Sequence, residues 1–413
     1  MGAIAASLAS MPLMLKQLGP ALLGAWLVLL SVFQWVTFFD LGVASGARNE
    51  IARALANGDI ALARRALVTG WCYTVFITLA LTGVLALGLA TTPILPWLRG
   101  NAFGGIDATS AVWVVSIGAC VSFALSYIQP VFAAFQRASA VSMFSFLVSA
   151  LFLGLLVLLP ASREGGMVHV GLLYLTSMLI AHLVLIVQFF LQHPQARVRL
   201  SEIDHGLRSR IVGFGMRLFA IQIAAMVIFT LSRLLVSIFF GAAQVVVYDG
   251  GFRIFSVVTM VHTLVMSTLW STFTQAYEQG DWAWMRKTIA RLQWLMVPVI
   301  LGCAALAALA PWLIEHWLGR QLVGGSGLYV WFAVITALSC WSNIFAYFVN
   351  GIGDVSVQFY SAIAAAVINV PASYFFAVVL GMGISGVLAG TVASLAFFSL
   401  LGPWQVARIL ARK

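Results

Sequence analysis

Apolar runs long enough to cross a bilayer recur along this chain, separated by short polar breaks. Taken as stretches of about twenty apolar residues, they fall at about 21–47, 66–90, 111–133, 140–160, 168–191, 211–240, 245–273, 289–311, 326–349, 356–380 and 384–407. A further run, Ala3 to Leu15, is only thirteen residues long. It reads as a clipped first span, because a signal peptide would carry a basic leading region and a cleavage site. With it the chain is predicted to be an all-α polytopic membrane protein of about 12 transmembrane helices, since closed backbone hydrogen bonding leaves helices as the form for such runs.

One stretch of this pattern is written twice. The first copy opens at Gly19, crosses an apolar run and closes on Gly58-Asp59, then four residues and Arg64-Arg65. The second opens at Gly241 and closes on Gly280-Asp281, then four residues and Arg286-Lys287. Glycine and Gly-Asp pair are 39 apart in both (58 minus 19, 280 minus 241), so one offset of 222 carries every landmark across. Phe132-Ala133-Ala134-Phe135 resembles Phe345-Ala346-Tyr347-Phe348, and Gly171 resembles Gly386, at other offsets. The halves are an amino-terminal six-helix lobe at 1–192 and a carboxy-terminal six-helix lobe at 211–413, joined by a polar, Arg-rich linker at 193–210. Six is even, so the two lobes enter the bilayer in the same direction and form a parallel repeat.

Local expectations follow. Ala47 to Arg65 should continue the second span as an amphipathic helix and turn at Asn57-Gly58. Val245 to Gln279 would span about 50 Å as one helix, more than a hydrocarbon core, so it must project into the cytoplasm or bend, with Gly250-Gly251 as the place. Asn350-Gly351 and Gly353-Asp354 read as turn chemistry.

Composition fits the pattern: 62% of residues are apolar, 8% are charged and mean hydropathy is +1.04, a surface no water-soluble domain of this length could carry. Charge supplies orientation. With the amino terminus inside, fifteen Lys and Arg fall on inner segments, four (Lys16, Arg99, Arg163 and Arg320) on outer ones, and three within spans. That bias places both termini in the cytoplasm, and it accounts for the net charge of +10 without a nucleic-acid partner. Cys72, Cys120, Cys303 and Cys340 sit singly in apolar runs and read as core packing.

The three arginines within spans carry the chemistry, because charge in a bilayer needs a partner, a cavity or a nearby interface. Arg217 lies near the inner edge, where its side chain could snorkel. Arg233 and Arg253 lie on consecutive antiparallel spans at one depth. Asp249, four residues before Arg253, shares its helical face. One reading is an ion pair that only neutralises Arg253. The other is a water-exposed site of net charge about +1 suited to a phosphate or pyrophosphate, whose oxygens match the guanidinium fork. Asp40 and His262 are equivalent in the two copies (40 plus 222 is 262) and are candidates for ion coupling; His182 reads as a hydrogen-bonded core histidine. The sequence holds no nucleotide-binding glycine loop, metal-ligand cluster or nucleophile motif. It reads as a transporter without cofactor or metal, and not as an enzyme.

Leu18-Gly19-Pro20, Gly24-Ala25-Trp26, Asp40-Leu41-Gly42 and Gly58-Asp59 resemble the amino-terminal pattern of bacterial polysaccharide-biosynthesis flippases, of the O-antigen and exopolysaccharide type. These belong to the multidrug, oligosaccharidyl-lipid and polysaccharide exporter superfamily. Gly241 to Tyr248, Arg253, Gly280-Asp281 and Asn350-Gly351 are similar to the family's later landmarks, so the likeness covers nearly the whole chain. It implies V-shaped lobes around a central cavity that rock between inward-open and outward-open states. The implied cargo is a polyprenyl-pyrophosphate-linked oligosaccharide, carried to the periplasmic leaflet of a bacterial inner membrane for polysaccharide export. A polysaccharide polymerase and export machinery are the implied contacts, with membrane lipid as surroundings. The chain departs from the pattern where relatives often carry an acid before the basic residue of the seventh span; here Ser232 precedes Arg233. Two other readings stand beside this one: a cation-coupled multidrug or small-molecule extruder of the same superfamily, and a membrane-embedded glycan polymerase or lipid glycosyltransferase.

Overall fold

A computed structural model describes residues 2–411 except 39–41, 104, 136, 138, 161–165, 197–201, 208–218, 220–222, 224–225 and 227–229. Helix dominates, as a chain with no water to satisfy its backbone requires. The helices are α1 (Gly2–Phe38), α2 (Val43–Ala56), α3 (Ile60–Thr91), α4 (Ile94–Trp97), α5 (Thr109–Ser126), α6 (Ile128–Ala134), α7 (Ser139–Leu158) and α8 (Gly166–Gln192), then α9 (Thr230–Phe240), and α10 (Ala242–Gln279), α11 (Trp282–Leu318), α12 (Ser326–Ile352), α13 (Ser356–Tyr374) and α14 (Ile384–Ala411). Nine helical stretches among the described residues are long and apolar enough to span a membrane, with α7 and α9 containing shorter apolar ones. Because α1 is folded at Gly19 into two helices, these make twelve.

Backbone geometry repeats where the sequence repeats. Gly19 has φ 74, ψ 170 and Gly241 has φ 89, ψ 159. Gly58 and Gly280 both take the left-handed region, at φ 72 and φ 70. Asp59 then caps α3 by accepting the Leu62 amide at 2.8 Å, and Asp281 caps α11 by accepting the Trp284 amide at 3.0 Å. Each cap satisfies one of a helix's orphan amides.

Four local expectations change. The thirteen-residue first run is part of a helix that reaches Gly19, because Lys16 and Gln17 continue it; Gln17 donates to the Leu156 carbonyl of α7 at 3.1 Å. The second span does not run on as one helix into the amphipathic segment: α2 starts after Gly42, whose left-handed backbone at φ 73 breaks the helix there. The second copy has Leu264 at the matching place, and α10 runs uninterrupted for 38 residues. It is also helical without a break through Gly250-Gly251. These glycines are packing surfaces, not a bend: a Cβ on Gly251 would meet the Phe332 ring, and one on Gly250 would press on Ile314 and Leu318. At about 57 Å, α10 must therefore project beyond a bilayer. Asn350-Gly351 belongs to the last turn of α12, and the turn itself is made by Gly353 at φ 80.

The chain divides into two compact units, Met1–Ile223 and Ala224–Lys413. In the first, Trp26 is fully buried with its ring edge-on to Tyr174 at 5.9 Å, and Gly171 lets that indole approach to 3.4 Å of where a Cβ would be. In the second, Phe273, Met285, Phe345, Phe348 and Val406 form a buried core from α10, α11, α12 and α14. Gly386 and Gly390 bring α14 against α13 so closely that a Cβ on either would collide with the backbone of Ala377 or Ser373. Small residues at this spacing are how helices pack where lipid removes the hydrophobic drive.

Candidate functional site

Arg233 on α9 and Asp249 on α10 are separated by the turn at Gly241, and Arg253 stands one helical turn past Asp249. The fold therefore brings all three together. Asp249 has no exposed surface. Its Oδ1 accepts from Arg233 Nε at 2.8 Å and from Arg233 Nη2 at 2.7 Å, while Oδ2 accepts from Arg253 Nε at 2.6 Å. The Arg233 guanidinium also lies over the Phe252 ring at 5.1 Å. A carboxylate with both oxygens held by guanidinium edges is the arrangement that makes a buried charge tolerable.

The cluster is neither of the two arrangements read from sequence, but holds part of each. Asp249 neutralises one charge and is shared by two, so two cations and one anion leave a formal +1. The arginine side chains keep 14% and 18% of their surface exposed. Beside them lies a cavity of about 300 Å³, walled in part by Ser232, Tyr248, Phe252 and Ser256, each a sequence neighbour of a cluster residue or one turn from it. Its far wall is hydroxyl and amide, with Thr336, Ser339, Asn343 and Thr391. These lining residues were not predicted. The signal that could have found them is the aromatic stripe Tyr248, Phe252, Phe255 at helical spacing next to Asp249.

The other candidates fare differently. Arg217 and Asp40 lie outside the described residues. His262 is 5% exposed and neither ring nitrogen has a hydrogen-bond partner among the described residues. His182 is fully buried and packs on the Phe144 ring at 4.4 Å. The Met178 carbonyl one turn away is its backbone partner, and among the described residues its ring has no other. All four cysteines are free, Cys72 half-buried and the rest buried. Among the described residues no group of three His, Cys, Asp or Glu could hold a metal ion.

Neither a protein-family model nor a curated protein matches the chain. Solved structures do. An inward-facing multidrug resistance MATE family transporter of the MOP superfamily superposes with TM-score 0.82 at 17% identity, covering 100% of this chain and 95% of that one. A MOP superfamily transporter from Pyrococcus furiosus, described by the reverse polarity of its binding pocket, superposes with TM-score 0.73 at 17% identity over 99% of this chain and 93% of that one. An outward-facing multidrug resistance MATE transporter gives 0.67 at 18% identity over 100% and 93%. The fold is that of the MATE transporters of the MOP superfamily, over the whole length of the chain.

Proposed function

We propose that this protein is a flippase of a bacterial inner membrane that moves a polyprenyl-pyrophosphate-linked oligosaccharide from the cytoplasmic to the periplasmic leaflet by alternating access. The observation that carries this reading is the net-positive Arg233–Asp249–Arg253 cluster, whose largely buried guanidiniums lie beside a mainly apolar cavity that carries the hydroxyls of Ser232, Ser256, Thr336, Ser339 and Thr391. A pyrophosphate supplies the negative charge such a site lacks, and planar donors recognise its oxygens in pairs. The cycle would expose this cluster to each leaflet in turn, with both termini in the cytoplasm as the fifteen-to-four bias of basic residues requires.

A cation-coupled multidrug extruder is the second reading, favoured by the multidrug transporters among the structures sharing the fold. It asks for a buried carboxylate open to a cation. Among the described residues the buried carboxylates are Glu50 and Asp249. Glu50 is held by Arg53 at 3.0 Å and Asp249 by two arginines, so the flippase reading is preferred.

The test is translocation of fluorescent undecaprenyl-pyrophosphate oligosaccharide in vesicles containing the purified protein. Protein-dependent crossing is expected, falling at least tenfold in Arg253→Ala while that variant still inserts and folds. Equal crossing in protein-free vesicles would end the proposal. Gradient-driven efflux of a cationic dye, without glycan crossing, would establish the extruder.

A further inference from the structure

The cavity beside the arginines does not end at the cluster. A second cavity of about 350 Å³, walled by Met260, Thr263 and Leu264, shares Ser256 and Thr259 with it. Together they form one groove along α10 from Tyr248 to Leu264, sixteen residues (264 minus 248) or about 24 Å of helix. Asp249, Arg253, Ser256, Met260 and Thr263 recur at alternating steps of four and three, which keeps them on one helical face. The cationic cluster therefore stands at one end of the groove, and the rest of the groove runs toward Gly280.

Much of the wall is apolar, with the rings of Tyr248, Phe252 and Phe332, and its polar groups are of two kinds. On α10 the Ser256 hydroxyl donates to the Arg253 carbonyl at 2.7 Å, and the Thr259 hydroxyl donates to the Ser256 carbonyl at 2.9 Å. Their protons are committed to the helix, so what they offer a ligand is oxygen lone pairs. On α12, Ser339 and Asn343 stand one turn apart in the wall of the same cavity, both half-buried. Among the described residues neither of these side chains has a hydrogen bond, so the amide brings donors and an acceptor and the hydroxyl brings one donor. A fitting ligand must donate toward α10, donate and accept toward α12, and lay an apolar face on aromatic rings. Sugar hydroxyls donate and accept at once, and the C–H face of a pyranose suits a ring wall. A prenyl chain in the same place would cover Ser339 and Asn343 with hydrocarbon and leave them without partners. We infer that this groove seats the glycan of the cargo, with its sugars on Ser256 and Thr259 of α10 and Ser339 and Asn343 of α12, and with a longer glycan reaching Thr263. The assignment rests on the flippase reading, because a pyrophosphate at Arg233 and Arg253 is what brings the glycan to the end of the groove.

The test compares binding of undecaprenyl pyrophosphate to the full-length protein in detergent with binding of the same lipid carrying one or three sugars, in glucose, galactose and N-acetylglucosamine versions. At least one sugar-bearing lipid should bind about tenfold tighter than the bare one. Asn343→Leu and Ser339→Ala should each weaken that lipid about fivefold, the loss of a neutral hydrogen bond, and leave the bare lipid unchanged. Thr263→Val should weaken only the three-sugar lipid, and Arg253→Ala should weaken all of them alike. If Asn343→Leu does not fold, Ser339→Ala and the nearly isosteric Thr263→Val decide the matter. Equal affinity for bare and sugar-bearing lipids, or wild-type affinity for the sugar-bearing lipids in these variants, would overturn the inference, while the flippase reading would stand as long as glycan still crosses vesicles. Equal losses for bare and sugar-bearing lipid in Asn343→Leu would overturn it as well and give the groove to the prenyl chain. If neither lipid binds and no glycan crosses, the flippase reading falls and takes this inference with it.

Discussion

Asp249 is fully buried between two arginines, so each member of the cluster is held by the others. Removing the carboxylate strands two guanidiniums, and breaking a buried ionic group by removing one partner costs about 3–5 kcal/mol. Asp249→Asn should therefore lower the melting temperature in detergent more than Arg253→Gln, which leaves Asp249 with Arg233; an equal effect would mean the carboxylate is not the shared centre. The i, i+4 spacing and the equal depth of the arginines were legible in the sequence. The sharing was not, because which carboxylate oxygen faces which span is decided by how α9 and α10 meet. His182 shows the same limit: a sequence gives its depth but not which group partners it there. On the surface, the Ser356 hydroxyl donates to Asp354 at 2.6 Å, and this bond first of all holds the Asp354 carboxyl below the usual carboxylate range. The bond stabilises the ionised form, so what it contributes to the α12–α13 turn is present above the ordinary carboxylate range and lost as pH falls through the folded value. Ser356→Ala should raise the Asp354 midpoint in a 13C carboxyl titration; an unchanged midpoint would remove the hydroxyl as its cause.

Helix ends are where the duplicated pattern acts. Gly58 and Gly280 sit at matching φ with no atom within 3.9 Å of an added Cβ, so an alanine at either is penalised by backbone conformation alone, about 1 kcal/mol. Gly58→Ala and Gly280→Ala should thus destabilise by similar amounts, each measured as a shift in thermal unfolding of its own unit. A large difference would show that the turns only look alike. The glycines of α14 differ in kind: they are tight because α13 is there, and Gly390→Leu should disrupt that pairing even though the helix would accept leucine. The divergence between copies was also readable in part. Gly42 against Leu264 is one substitution, and it separates a segment that restarts as α2 after a left-handed glycine from one that continues unbroken as α10. What the pattern could not show is that Gly250-Gly251, the obvious place for a break, is packed by Phe332, Ile314 and Leu318 within one unbroken helix. Neighbouring side chains settle that, and Phe332 comes from 81 residues away (332 minus 251).

Hydropathy alone placed nearly every span, because a bilayer punishes polar backbone and charge more strictly than a soluble core does. At the scale of the molecule the basic residues then have two tasks. Arg64 and Arg286 are equivalent under the 222 offset, and each ties down the end of its own unit's last span. Arg64 pairs with Glu202, ten residues past α8 (202 minus 192), at 2.6 Å, with Arg65 reaching Asp204 at 3.5 Å. Arg286 donates to the Leu410 carbonyl at the end of α14 at 2.8 Å. Residues that anchor the exit of each lobe also carry the positive-inside signal, so packing and orientation favour the same side. A cysteine at Asp107, on an outer segment, and one at Asp354, on an inner one, tests this. The native thiols should contribute little background, since Cys120, Cys303 and Cys340 are buried and Cys72 is half-buried. In intact cells a membrane-impermeant maleimide should label Asp107→Cys at once and Asp354→Cys only after permeabilisation. The reverse order would invert the chain in the membrane, and with it the direction in which a pyrophosphate bound at Arg233 and Arg253 could be carried.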